Sequence, residues 1–205
     1  MYRAPQKKCT QGFTLVETII VIALTTLISG ALLSGIASFY RFNGYVVAQA
    51  YQVSHVRVAL EQMIRDLREM TYADDGTFPL VTMEDTAIGF FSDIDRDNSV
   101  EYVEYSLSTT TLERKIYNAT GSPPVYSTSS PETTVTLSEY VQNSLQATPV
   151  FVYFDENGNP ATPTTTITDI RYVEVSVIVN IDPVRDPGEF MLRSSASLRN
   201  LKTYE

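Results

Sequence analysis

The stretch Gly12-Phe13-Thr14-Leu15-Val16-Glu17, which runs directly into TIIVIALTTLISGALLSGIASFY at residues 18–40, decides the fold of this 205-residue chain. Residues 18–40 carry no charged side chain, and about 20 helical residues suffice to cross the hydrocarbon core of a bilayer. The chain after this run is acidic, whereas three basic residues precede it: Arg3, Lys7 and Lys8. Because positive charge marks the cytoplasmic side, we expect a single-pass protein with a cytoplasmic N-terminus and its remaining chain outside.

The composition of the whole chain argues against several functional classes. It has 24 acidic and 15 basic residues, a formal charge of −9 and 43% hydrophobic residues. Direct nucleic-acid binding is not expected, because it needs clustered Lys and Arg. Cys9 and His55 are the single residues of their kinds, which argues against a Cys/His zinc site and a Cys–His nucleophile. No phosphate-binding loop or serine nucleophile elbow is visible, so we predict that the protein is not an enzyme.

Helical periodicity continues past the membrane-length run to about Met70. An apolar face is formed by residues spaced three or four apart: Val46, Ala50, Val53, Val56, Leu60, Ile64 and Leu67. The opposite face is predicted to be polar and includes Gln49, Glu61, Gln62, Arg65, Asp66 and Glu69. We therefore predict one helix over residues 13–70, which is apolar in its first half and amphipathic in its second.

After residue 71 the periodicity changes to two, and Thr, Tyr and Val become frequent. Six strands are predicted, at residues 87–91, 100–107, 111–117, 150–154, 170–181 and 190–198. Residues 121–136, rich in Pro, Ser and Thr, are predicted to be an exposed loop, and residues 138–145 a short helix. The predicted fold class is α+β, with the long N-terminal helix packed on an antiparallel sheet.

Glu17 is the feature of the apolar segment that needs an explanation. A carboxylate deep in a bilayer costs about 2.5–3.5 kcal/mol, although at the headgroup level it would simply stabilise the helix N-terminus. A secretory signal peptide would have a shorter apolar run with a small-residue cleavage site after it. A permanent signal anchor has the right length, but it leaves Glu17 without a purpose.

Together, Gly12, Phe13 and Glu17 resemble the processing site of type IV prepilins and of the related pseudopilins of type II secretion. The resemblance implies that a prepilin peptidase cuts between Gly12 and Phe13 and methylates the new terminal amine. It also implies that Glu17 pairs with such an amine, in the same or an adjacent subunit, when the helix is buried in a filament. A buried amine without a partner would be strongly unfavourable, which gives the pairing its physical reason.

The resemblance divides the chain into four parts. Residues 1–12 are a basic leader that is removed, 13–40 the transmembrane half of the helix, 41–70 its amphipathic half, and 71–205 a globular antiparallel-sheet domain. Removal of the leader leaves 12 basic and 24 acidic residues, a formal charge of about −12, and no cysteine. The implied partners are the prepilin peptidase, other pilin or pseudopilin subunits, an inner-membrane assembly platform and, before assembly, the lipid bilayer.

Most of the chain also resembles the J-type minor pseudopilins of type II secretion and the related minor pilins. This resemblance rests on the order of Leu67-Arg68, the strand holding Val103, Tyr105 and Leu107, Leu112-Glu113-Arg114, the segment at 150–158, and Leu198-Arg199-Asn200. It implies a structural minor subunit of a type IV pilus or of a type II secretion pseudopilus. The alternative left open is a single-pass, membrane-anchored extracytoplasmic binding or adhesion module, for example a calcium-dependent one.

One acidic segment has the spacing of a calcium loop, and Ca²⁺ is the one cofactor that the sequence suggests. Asp93, Asp95 and Asp97 occupy alternate positions, and Glu104 is twelfth counting from Asp93, which is the spacing of oxygen ligands in such loops. Glu101 could supply the last ligand instead of Glu104, because residues 100–107 are predicted to form a strand. The alternative is a solvated acidic turn between two strands.

Overall fold

The computed structural model describes residues 12–97, 99–161, 166–185 and 188–198. The chain forms two compact units, one ending at Val47 and the other beginning at Ala48. A single helix, α1 (Leu15–Arg68), contributes residues to both units. The prediction of one helix over residues 13–70 is therefore confirmed to within two residues at each end.

Helix α1 ends where the chain joins the sheet. Arg65 and Arg68 lie in its last turn, where positive charge interacts favourably with the helix dipole. The next residues are extended: Met70 forms a bridge with Ser92, and the Thr71 N–H donates to the Phe91 carbonyl oxygen at 2.9 Å.

Within the described residues of the second unit ten strands follow, and every pairing between them is antiparallel. They are β1 (Leu80–Met83), β2 (Ala87–Ser92), β3 (Glu101–Ser108), β4 (Thr111–Tyr117), β5 (Ala119–Thr120), β6 (Val125–Tyr126), β7 (Thr133–Ser138), β8 (Phe151–Phe154), β9 (Tyr172–Val179) and β10 (Phe190–Ser197). A five-stranded sheet has the order β1-β2-β3-β4-β7, a three-stranded sheet has the order β10-β9-β8, and β5 and β6 form a hairpin. The α+β class with antiparallel sheets is confirmed.

All six predicted strands are present, but the segment between residues 121 and 145 differs from its prediction. The expected loop at 121–136 contains β6 and most of β7, and the expected helix at 138–145 is reduced to one 3₁₀ turn at Ser144–Gln146. Strand β7 has the sequence TTVTLS, and its high threonine content suggested a loop. Because threonine is β-branched, it fits a pleated strand well.

The second half of α1 packs on both larger sheets and forms one hydrophobic core with them. Its buried apolar residues are Val56, Ala59, Leu60, Met63, Ile64 and Leu67. They meet β-strand side chains that include Ile88, Phe90, Val103, Leu112, Phe151, Val173, Val175 and Val177. Ala50, which was predicted to be on the buried face, is exposed, whereas Gln49 and Asp66, which were predicted to be exposed, are buried.

Asp66 is buried because the sheet provides two polar partners for its carboxylate. The Tyr105 hydroxyl donates to Asp66 Oδ2 at 2.6 Å, and Arg114 lies 3.6 Å from the same oxygen. Burial raises the pKa of Asp66, against the lowering effects of the Tyr105 hydrogen bond and the Arg114 charge. Burial also raises the pKa of Tyr105, which therefore remains a hydrogen-bond donor. This cluster fixes the helix on the sheet at one polar point.

Gln49 is buried for a similar reason. Its side-chain amide nitrogen donates to the Val179 carbonyl oxygen at 3.1 Å, and its amide oxygen accepts from the Ile181 N–H at 3.0 Å. The side chain thus pairs with the backbone at the end of β9 as a neighbouring strand would, which satisfies two backbone groups that the sheet leaves open.

Candidate functional site

The start of α1 carries the residues of the predicted processing site. Thr14 is the residue before the helix, and its Oγ1 accepts a hydrogen bond from the Glu17 N–H at 3.2 Å. Its carbonyl oxygen accepts the first helical hydrogen bond, from the Thr18 N–H at 3.1 Å. Thr14 is therefore the N-cap, and Glu17 lies in the first turn, where a carboxylate interacts favourably with the helix dipole.

Gly12 and Phe13 precede the helix in an accessible segment. The Phe13 side chain is 76% exposed, and a Cβ added to Gly12 would meet no atom within 4 Å. The fold of the described residues therefore gives no packing reason for glycine at position 12. Gly12, Phe13, Thr14 and Glu17 line one open depression, so the structure brings the predicted cleavage position and the predicted amine partner together.

The helix that follows exposes its apolar side chains. Leu15, Ile22, Leu27 and Leu33 are all more than half exposed. The helix is long and apolar enough to cross a membrane by length and composition. Exposed apolar surface of this extent needs cover from lipid or from other protein chains.

The acidic loop between β2 and β3 brings three of its five candidate ligands together. Carboxylate oxygens of Asp93, Asp95 and Glu101 all lie within 4.8 Å of one another. The Glu101 side chain accepts the Ile94 N–H at 2.8 Å, and Asp93 accepts the Arg96 N–H at 2.7 Å. Burial raises the pKa of Glu101; the Ile94 hydrogen bond opposes this shift, and the charges of the loop aspartates add to it.

The two remaining candidates are placed differently. Asp97 accepts the Ser99 N–H at 2.7 Å and is near enough to Glu101 to affect its pKa. Glu104 lies three residues beyond Glu101 in β3, so it points to the opposite face of the sheet, where its charge acts on Tyr102 and Tyr117. Asn98 lies outside the described residues. Calcium binding stays a prediction, with Glu101 rather than Glu104 at the loop.

Comparison with known proteins identifies the N-terminal segment. A family model described as a prokaryotic N-terminal methylation motif matches residues 7–33, which include Gly12, Phe13, Glu17 and the first half of the apolar run. No curated protein matches the chain with significance. The motif is that of a pilin-type structural subunit, which is not an enzyme. The motif is the type IV prepilin signature and supports a type IV pilin-like protein, and the long N-terminal helix packed on antiparallel sheets is consistent with a pilin-like fold.

Proposed function

We propose that this protein is a minor pilin or pseudopilin, a structural subunit of a type IV pilus or a type II secretion pseudopilus. A prepilin peptidase removes residues 1–12, Phe13 becomes the methylated N-terminus, and the helix carries the subunit into the filament. The observation that carries the proposal is the methylation motif at residues 7–33, followed directly by an exposed apolar helix. The broader resemblance to J-type minor pseudopilins supports a minor rather than a major subunit.

The geometry around Gly12 is consistent with cleavage at that residue. The bond between Gly12 and Phe13 lies outside the helix, so a peptidase can reach it without unwinding α1. Since Gly12 has open space around its Cα, the absence of a side chain there matters for the fit of the segment into the peptidase rather than for the fold. A substitution at position 12 should therefore affect processing without affecting the fold.

Glu17 is proposed to hold the new terminal amine during assembly. Cleavage creates the amine at Phe13, which borders the same depression as Glu17. Before assembly, the amine and the carboxylate can both remain at the headgroup level. Inside a filament, surrounded by apolar helices, each would be a costly unpaired charge, so their pairing favours the assembled state.

The parts of the chain then have separate tasks. Residues 13–40 anchor the subunit in the cytoplasmic membrane and later pack among other helices, residues 41–70 join the anchor to the domain, and residues 71–205 form the extracytoplasmic sheet domain. The assembly platform in the inner membrane and the other subunits are its expected partners. The basic leader and the acidic remainder support this orientation.

The test is the intact mass of the full chain isolated from membranes, expressed with and without a prepilin peptidase. We expect a mass equal to residues 13–205 plus one methyl group, and only when the peptidase is present. Gly12→Val should reduce the cut fraction roughly tenfold or more, because the substitution alters a fitted substrate position. Full-length mass in both samples would instead leave the membrane-anchored binding module as the interpretation.

The role of Glu17 is tested by incorporation into filaments. Glu17→Gln should be cut normally yet incorporated poorly, because the amide removes the charge and preserves the shape of the side chain. A matched control exchanges the residues at 17 and 18, Glu17→Thr with Thr18→Glu, which keeps the composition but turns the carboxylate by about 100° around the helix. Normal incorporation of the Gln variant would refute the pairing.

A further inference from the structure

A groove of about 360 Å³ lies between the exposed flank of α1 and strand β7. Its lining residues come from two short segments of the second unit: Tyr51, Ser54, His55, Val58, Ala59 and Gln62 from the helix, and Val135, Thr136 and Leu137 from the strand. The Tyr51 and His55 rings are in contact, with centroids 4.3 Å apart. None of the lining residues is Asp, Glu, Lys or Arg, although the chain as a whole is strongly acidic.

Strand β7 is the edge of the five-stranded sheet at this groove. As far as the described ranges show, it pairs with β4 on one side and with no strand on the other. Its residues TTVTLS include no charge, proline or glycine, which are the usual means of keeping an edge strand from pairing. An edge of this kind is suited to accept another strand.

The other sheet edges are shorter than β7, carry a charged residue or are covered at some positions. Strand β1 has four residues and an irregular register between Leu80 and Thr82. Strand β10 carries Arg193, and Arg68 donates to its Ser195 carbonyl oxygen at 3.4 Å. At β8, the Ala161 N–H donates to the Tyr153 carbonyl oxygen at 2.7 Å. The contrast singles out β7 among the described edges.

The direction of the β7 side chains relates this edge to the groove. Val135 lies opposite Arg114 in the β4–β7 ladder, and Arg114 points toward Asp66 on the helix. Val135 therefore faces the helix, whereas Thr134 faces away from it. A strand added beside β7 would be about 4.8 Å away and would place every second side chain in the groove, against Tyr51 and Val58.

We propose that β7 and this groove bind an extended, uncharged segment of a neighbouring pilin subunit, with apolar side chains at alternate positions. The inference rests on the proposed function, because it takes the partner from the filament. An uncharged groove suits such a partner, since an uncharged segment can enter it without burying an unpaired charge. The backbone of β7 supplies affinity, and the groove selects the side chains.

The geometry of the filament excludes a second β7 in antiparallel pairing, so we take the partner segment to be another strand. Antiparallel pairing of two β7 strands requires a two-fold axis normal to the sheet, and this axis reverses the direction of the α1 segment that lies on the sheet. Subunits inserted in one membrane from the same side have parallel helices, so they cannot be related in this way. The contact is therefore heterologous, the type that repeats into an open filament.

The experiment uses the full chain in its native cells, with Cys9→Ser so that the chain contains no other thiol. Cysteine is introduced at Val135, which faces the groove, or at Thr134 as a control on the other face of the same strand. A membrane-impermeant maleimide labels sheared filaments and membrane-held subunits in parallel. We expect Val135→Cys to react at least tenfold more slowly in filaments, with a much smaller change for Thr134→Cys.

A photo-crosslinking residue at position 135 identifies the occupant. The expected product joins this chain to an uncharged strand of another pilin subunit, read from the crosslinked peptide by mass spectrometry. Val135→Glu should reduce incorporation about tenfold, because it places a charge in the groove, whereas Thr134→Glu should not. Each glutamate lies opposite a cation, Arg114 or Lys115, so both variants should be as thermally stable as wild type. Equal maleimide labelling in both samples, a β7–β7 product or a product with a non-pilin protein would overturn the proposal.

The mass of the N-terminus in the same samples separates the two hypotheses. A cut chain that enters filaments with an unprotected groove overturns the groove proposal and leaves the proposed function intact. An uncut chain overturns the proposed function, and the groove proposal with it.

Discussion

The two halves of α1 differ in how their apolar side chains are covered. Leu27, before Val47, is 72% exposed, whereas Leu67, after Ala48, is fully buried against the sheets. The second half obtains its cover from its own chain, so it contributes to the stability of the domain. In the first half, residues 15–40 are all exposed, so their cover must come from lipid or other subunits. Folding of the domain and assembly of the filament should therefore respond to different substitutions.

The largest effect is expected at the buried polar contact of the covered half. Asp66→Ala should destabilise the domain by about 3–5 kcal/mol, because it leaves the Arg114 charge buried without its partner. Chemical denaturation of the full chain in detergent measures this loss. Glu61→Ala, an exposed change on the same helix, should alter stability by less than about 0.5 kcal/mol.

A double variant sharpens the Asp66 result. Asp66→Ala with Arg114→Met removes both charges and should recover part of the lost stability, since the remaining buried groups are mostly apolar. A loss of under about 1 kcal/mol for Asp66→Ala alone would show that the polar contact does not fix the helix on the sheet.

The next effect compares the same substitution in both halves. Leu67→Ala should destabilise the domain by about 2–5 kcal/mol, because it removes buried methyl groups and leaves a cavity. Leu27→Ala should leave the unfolding transition of the domain unchanged, since the Leu27 side chain is 72% exposed. A shift of similar size for both variants would contradict the division of the helix into covered and uncovered halves.

The sequence predicts the features of this molecule that depend on local pattern. The apolar run, the change from helical to strand periodicity and the motif at Gly12, Phe13 and Glu17 are all local, and α1 and the six expected strands are present in the structure. Gln49 and Asp66 were assigned to the exposed face because periodicity treats polar residues as solvated. Their partners, 130 and 39 residues away, can be recognised only once the chain is folded.

The candidate sites show the same limit. The spacing of Asp93, Asp95 and Glu101 indicated a cluster, and the structure brings them together. Which residue supplies the last ligand depended on strand register, because positions 101 and 104 face opposite sides of β3. The groove beside β7 was not predicted, since its two walls are more than 70 residues apart and its strand was taken for a loop.

A smaller effect tests the contact that holds the start of the second half of α1 on the sheet. Gln49→Ala should cost about 1–3 kcal/mol, because the Val179 carbonyl and the Ile181 N–H lose their buried partner. Hydrogen exchange of the Ile181 amide should become faster in this variant. Gln52→Ala, a half-buried change one turn away, is the control and should leave that amide protected. Unchanged exchange in Gln49→Ala would show that the β9 end is held by other contacts.

The smallest effect concerns the acidic loop of the domain. It tests whether the clustered carboxylates of this loop need a cation as a partner. Because the pKa of Glu101 is raised in the folded state, the folded protein binds more protons than the unfolded one above the ordinary glutamate pKa. Without calcium, this group should therefore lower stability as the pH rises from about 4 toward neutrality. Glu101→Gln should flatten that dependence, because the amide oxygen still accepts the Ile94 N–H but carries no charge.

If Asp93, Asp95 and Glu101 are its ligands, calcium should remove the loss of stability that the charge of Glu101 causes near neutral pH. A tenfold excess over the dissociation constant stabilises a one-site protein by roughly 1.4 kcal/mol, which for a chain of this size is a melting-temperature rise of a few degrees. Differential scanning calorimetry of the full chain at pH 7 should show the rise in wild type and lose it in Asp95→Ala. Asp155→Ala, in a turn where hydrogen bonds from Asn159 lower the pKa of the aspartate, should retain it. If wild type shows no rise with calcium, the acidic loop is a solvated turn whose carboxylates only accept hydrogen bonds from its own backbone.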